Sequence, residues 1–197
     1  VTGIAHSHAI VTNSNAKQGD LLVLTKPIGT GIITTAAKNN MTDDSTLNNA
    51  VSAMKTLNAA AAESMLVAGA NACTDITGFG LIGHLQNMMN MSGTTASINL
   101  SAVPIFPGVR ELIELGMIPG GTRANRNAAD GQVDWDTAIH ENDQLLLCDA
   151  QTSGGLMISI PEDRVQHLMD ELAARNCSGF ILGTVETQGH ASIRVNS

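Results

Sequence analysis

Asp75 stands three residues ahead of a Gly-Phe-Gly turn in the stretch TDITGFGLIGHL, residues 74–85. A carboxylate is a hard oxygen ligand suited to Mg²⁺, an ion that commonly joins one or two carboxylates to substrate phosphates. Gly78 and Gly80 let the backbone turn sharply and come close to a ligand. The spacing predicts a helix over 79–91, whose first N–H groups and positive dipole end favour anions. Asp75 is therefore a candidate metal ligand, and the turn a candidate phosphate contact. A plainer reading accounts for the same residues. An Asp before a turn often bonds its own backbone, and short Gly motifs recur without any ligand.

Other groups carry weaker chemistry. Lys26-Pro27-Ile28-Gly29-Thr30-Gly31 could cradle an anion on backbone N–H groups. It lacks the Gly-Lys-Ser/Thr of a Walker A loop, and a simple strand-to-helix turn is the favoured reading. Gln151-Thr152-Ser153-Gly154-Gly155 offers three hydrogen-bonding side chains, as a site or as a tight strand connection. Arg123 and Arg126 could meet phosphates or only solvent. His84, with no second ligand at i+4, reads as a packing or hydrogen-bonding residue. His6 and His8 read as a solvated pair, and Met88, Met89 and Met91 as core or interface filler. Ser153 has no base near it in sequence, and Cys73 lies close to an acidic residue, which disfavours a thiolate.

The elements that must position these residues follow from pattern. Leu21 to Thr25 is a short apolar run, a buried strand. Residues 45–68 predict one long helix, with Ser45 as N-cap and Gly69 just past its end. Ile98 to Leu100 reads as a strand, and Pro107-Gly108 opens a short helix that Gly116 ends. Residues 117–142 read as loop. Gln144 to Cys148 and Leu156 to Ile160 read as strands, and Glu162 to Asn176 as a helix. Phe180 to Val185 and Ser192 to Val195 predict a terminal hairpin. Strands and helices alternate irregularly, so the expected class is α+β, a mixed sheet with flanking helices.

Composition narrows the functions. The chain has 197 residues, 43% of them hydrophobic but only 2% aromatic, so the core must rest on aliphatic side chains and Met. Its net charge of −8 argues against a nucleic-acid or anionic-membrane surface. With no Tyr and one Trp, stacking platforms for bases are scarce. Three cysteines, Cys73, Cys148 and Cys177, in no C-x-x-C arrangement fit a reducing, cytoplasmic compartment. The chain opens without Met in what reads as a strand over 1–12, so a fragment of a longer protein is expected.

Four segments, GDLLVLTKPIGTGI (19–32), TDITGFGLIGHL (74–85), PGGTRANRN (119–127) and LLLCDAQTSGGLMISI (145–160), resemble in order and spacing the selenophosphate synthetases. This family, the selenide, water dikinases, belongs to the aminoimidazole-ribonucleotide-synthetase-like superfamily. Ala150 stands where the family motif has Pro before Gln-Thr-Ser-Gly-Gly, which should alter the stiffness of the turn and not its chemistry. The resemblance implies a two-domain subunit in a homodimer, with ATP bound mainly by the N-terminal domain. The implied reaction turns ATP, selenide and water into selenophosphate, AMP and orthophosphate, with Mg²⁺ and K⁺ as cofactors. It implies that Asp75 is a Mg²⁺ ligand. The family's nucleophilic Cys or selenocysteine and its catalytic Lys have no counterpart here. By the resemblance, residues 1–16 are a remnant of the N-terminal domain's last strand plus a linker, and 17–197 are the C-terminal domain. Two other expectations remain open: a non-catalytic assembly module on the same fold, and a sister kinase of the superfamily.

Overall fold

The computed structural model describes residues 10–197; His6, His8 and most of the strand expected over 1–12 lie outside the described residues. Seven strands form one mixed sheet in the order β2-β5-β1-β6-β3-β7-β4. They are β1 Asp20–Leu24, β2 Ala72–Asp75, β3 Thr94–Asn99, β4 Val133–Trp135, β5 Leu156–Pro161, β6 Phe180–Thr187 and β7 Ile193–Asn196. The helices are α1 Thr30–Lys38, α2 Asp44–Lys55, α3 Ala59–Ala68, α4 Gly80–Ser92, α5 Val109–Glu114, α6 Gly120–Ala128, α7 Glu141–Leu147 and α8 Val165–Ala174. The class is α+β, as the pattern predicts.

The apolar run DLLVL becomes β1 because both of its faces are covered. Leu22 and Leu24 join a large core with Ile32, Leu81, Met88 and Leu146. Val23 points the other way, into a smaller core with Ile158, Leu168 and Leu172. β1 pairs antiparallel with β5 (Leu22↔Ser159) and with β6 (Leu21↔Thr184), with a register shift after Leu22. β2 lies beyond β5 at the sheet edge, antiparallel, with Asp75 opposite Leu156. β2 therefore ends beside the glycine-rich connection that enters β5.

Several expected elements fold differently. The single helix over 45–68 is two, α2 and α3, separated by Thr56-Leu57-Asn58. Tertiary contacts hold the break: Lys26 Nζ donates to Thr56 O (2.7 Å), and Asn58 Nδ2 donates to Gly154 O (2.8 Å). Asp43, not Ser45, caps α2, accepting from Thr46 N at 2.9 Å. Gly69 ends α3 with φ 78°, as expected.

The strand expected over 144–148 is helix α7, with Leu145, Leu146 and Leu147 buried. A short apolar run fits either period, and Glu141 and Asp143 in the first turn favour the helix. The loop expected over 117–142 contains α6 and β4. β6 and β7 do not form a hairpin, because β3 lies between them. β3 runs antiparallel to β6 (Ala96↔Val185) and parallel to β7 (Ala96↔Ile193).

Candidate functional site

The site begins where β2 leaves the sheet edge. Asp75 is exposed, and among the described residues nothing donates a hydrogen bond to its carboxylate. The next residue, Ile76, is fully buried and donates its N–H to Gly155 O at 2.9 Å. Gly80 has φ 71°, and its N–H closes the turn onto Thr77 O at 3.0 Å. A Cβ on Gly80 would stand 2.6 Å from Cys148 O, so glycine is required both by φ and by the close approach of the chain behind it. No side chain caps the start of α4.

His84 lies one turn into α4, its Nε2 3.0 Å from Thr77 Oγ1. Burial holds its pKa below the ordinary value, against the pull of the nearby Asp75 charge. It braces the turn, as the hydrogen-bonding reading expects. Phe79 is 69% exposed, its ring tilted against His84 at 5.7 Å between centroids. These two residues, with Asn13, Asn87 and Asn125, line a groove of about 490 Å³ beside the turn. Met88 and Met89 are buried core residues, while Met91 is exposed.

The 26–31 segment is the strand-to-helix turn that sequence alone favours, and not an open anion cradle. The N–H groups of Gly29, Thr30 and Gly31 are already taken by the protein's own side chains, and that of Ile28 by Pro104 O. Gln151 Oε1 accepts from Gly29 N (3.0 Å), Thr30 N (3.2 Å) and Thr30 Oγ1 (3.0 Å). Asp149 Oδ2 accepts from Gly31 N (3.0 Å), Ile32 N (3.3 Å) and Gln151 Nε2 (2.9 Å). Thr122 Oγ1 donates to Asp149 Oδ1 at 2.8 Å. A buried carboxylate and amide thus fill the N-terminus of α1 and tie it to α6. Burial pushes the Asp149 carboxyl up to about 6, against the lowering effect of these donors.

Lys26 is buried too, and desolvation lowers its pKa. Its Nζ donates to Thr56 O and to Ser153 O (3.1 Å), so its charge serves the fold. Arg126 is likewise engaged: its Nε donates to Gln144 Oε1 at 2.7 Å, it pairs with Asp130, and it lies 5.7 Å from the Trp135 ring centre. Arg123 is exposed, with no side-chain partner among the described residues. Thr152 and Ser153 are exposed, and Ser153 adopts φ 52°.

Sequence reasoning missed Asp149 and Asn125. The only available signal for Asp149 was its place directly before AQTSGG. Among the described residues, no three His, Cys, Asp or Glu side chains gather closely enough to hold a metal. Asp75 is an open carboxylate at a turn, which fits one ligand of an ion whose other ligands come from outside this set.

The chain matches the family described as AIR synthase related protein, C-terminal domain, over residues 17–196, and it belongs to that family. It is 43% identical over 197 residues to "Selenide, water dikinase" of Caldanaerobacter subterraneus subsp. tengcongensis, covering 99% of this chain and 57% of the relative. It is 44% identical over 177 residues to the protein of that name from Treponema denticola, covering 88% of this chain and 49% of the relative. The chain thus spans about half the length of the curated relatives it matches. Its fold is similar to that of a hydrogenase maturation protein HypE, with TM-score 0.67 and 16% identity over 90% of this chain and 47% of that one.

Proposed function

We propose that this chain is the C-terminal part of a selenide, water dikinase. In that reading residues 1–16 belong to the end of an upstream ATP-binding domain and its linker, and 17–197 form the C-terminal domain. The whole protein would convert ATP, selenide and water to selenophosphate, AMP and orthophosphate. One observation carries the reading: 43% identity to a protein of that name, sustained over 99% of this chain.

Asp75 would hold one of the Mg²⁺ ions on the triphosphate. Mg²⁺ bound there supplies positive charge against the charge that builds on phosphoryl oxygens during transfer. The exposed, unengaged carboxylate supports this assignment, since Mg²⁺ is usually held by one or two carboxylates plus substrate phosphates. A homodimer, a requirement for K⁺ and a cytoplasmic location complete the proposal. Three free cysteines fit a reducing compartment. No helix among the described residues is long and apolar enough to cross a membrane.

The test uses the whole reading frame that carries this chain, incubated anaerobically with ATP, Mg²⁺ and selenide and followed by phosphorus NMR. Joint appearance of AMP, orthophosphate and selenophosphate supports the reading. Selenide-independent ADP formation points instead to a sister kinase, and absence of turnover in a folded protein to a non-catalytic module. Asp75→Asn should cut turnover on the order of a hundredfold with an unchanged melting temperature; unchanged turnover rejects the ligand assignment.

A further inference from the structure

The turn that carries Asp75 out of the sheet is gripped from behind at three successive residues. Ile76 N donates to Gly155 O (2.9 Å), and Gln151 N donates to Thr77 O (3.0 Å). The third grip is a side chain: Asn125 Nδ2 donates to Gly78 O (2.8 Å) and to Cys148 O (3.1 Å). The first two bonds are between backbone groups and would survive most substitutions. Among the described residues, the Asn125 amide alone bridges the turn and the chain behind it through side-chain chemistry.

That chemistry is specific. Both acceptors are carbonyl oxygens, so the bridging atom must donate two protons, which an amide NH₂ does and a carboxylate cannot. Asn125 is also held still. Its helix, α6, is anchored on one side by Thr122 to Asp149 and on the other by Arg126 to Gln144. Gly80 and Gly154 let the chains pack without a Cβ between them; a Cβ on Gly154 would run into Ile76 O.

We infer that Asn125 is a positioning residue for Asp75, fixing the turn so that the carboxylate meets Mg²⁺ at a set place. The inference rests on the reading of Asp75 as a metal ligand. Mg²⁺ demands near-ideal octahedral geometry, so a carboxylate that wanders loses affinity even when it remains in the site. Asn125→Asp turns two donors into acceptors facing two carbonyls and should free the turn. Asn125→Ala leaves the carbonyls to water and is the milder change.

The experiment compares Asn125→Asp, Asn125→Ala and Asp75→Asn in the whole reading frame. One readout is the Mg²⁺ concentration giving half-maximal selenide-dependent ATP turnover. The second is the Mg²⁺ concentration giving half of the thermal shift with a non-hydrolysable ATP analogue, which needs no turnover. Loss of two hydrogen bonds should raise both midpoints on the order of tenfold in Asn125→Asp, and about threefold in Asn125→Ala. If Asn125→Asp does not fold, Asn125→Ser, which keeps one donor, is measured in its place. Variants with a lowered melting temperature but wild-type Mg²⁺ midpoints would show Asn125 to be structural only, overturning the inference. If Asp75→Asn shifts both midpoints and the Asn125 variants do not, only the inference fails. If Asp75→Asn leaves both midpoints in place, the metal-ligand reading fails and takes the inference with it.

Discussion

Asp149 is fully buried, yet it is the acceptor for Gly31 N, Ile32 N, Thr122 Oγ1 and Gln151 Nε2. Desolvation outweighs the four donors and moves its pKa from 3.8 to about 6. The charged form is therefore disfavoured in the folded state, by about 3 kcal/mol for a displacement of this size. The sign follows from linkage. Between 3.8 and about 6 the folded protein binds more protons at this site than the unfolded chain, so stability falls as pH rises through that window. Asp149→Asn removes the titration while keeping the shape, although its NH₂ now meets groups that donate. Urea unfolding of both proteins at pH 4, 5, 6 and 7, followed by far-ultraviolet circular dichroism, isolates the effect. Other carboxylates cancel in the difference between the two proteins. The native protein should lose about 2 kcal/mol relative to Asp149→Asn between pH 4 and pH 7, because the unfolded carboxyl is already partly ionised at pH 4. A difference that stays flat across this range would refute the claim that burial dominates at Asp149.

Lys26→Met should lower stability by about 1–3 kcal/mol, because Thr56 O and Ser153 O lose their donor, and a shift in the urea midpoint checks it. Gly154→Ala should cost about 1–3 kcal/mol and displace the amide signals of residues 76–78, since the added Cβ would collide with Ile76 O; thermal unfolding and ¹⁵N NMR read both effects. Burial pushes the Cys73 and Cys148 thiols up to about 12, so iodoacetamide at pH 8 should modify Cys177 first; comparable labelling of buried Cys148, seen by mass spectrometry, would contradict this.

The elements legible from sequence are those whose pattern has a single reading. DLLVL and LMISI carry β-branched Val or Ile, which QLLLC lacks, and the stretch of α8 carries a helical period, so β1, β5 and α8 appear where expected. The turn after Asp75 was legible from its glycines: Gly80 sits at φ 71°, a conformation that glycine adopts without a Cβ penalty. Chain order and local pattern thus determined the α+β class, the turn after Asp75 and the helix that follows it.

Tertiary structure decided what local pattern leaves degenerate. QLLLC suits a strand or a helix, and packing against α5 and α6 made it α7. The polar stretch 119–127 opens on Pro-Gly-Gly, a loop signal, but Thr122, Asn125 and Arg126 each find a partner outside it, and those bonds hold it as α6. Insertion of β3 between β6 and β7 could not be seen from two strands close in sequence, because pairing across a sheet is set by non-local burial. The role of the 26–31 segment was settled the same way. Its backbone N–H groups suit any acceptor, and Gln151 and Asp149, more than a hundred residues on in sequence, reach them by folding.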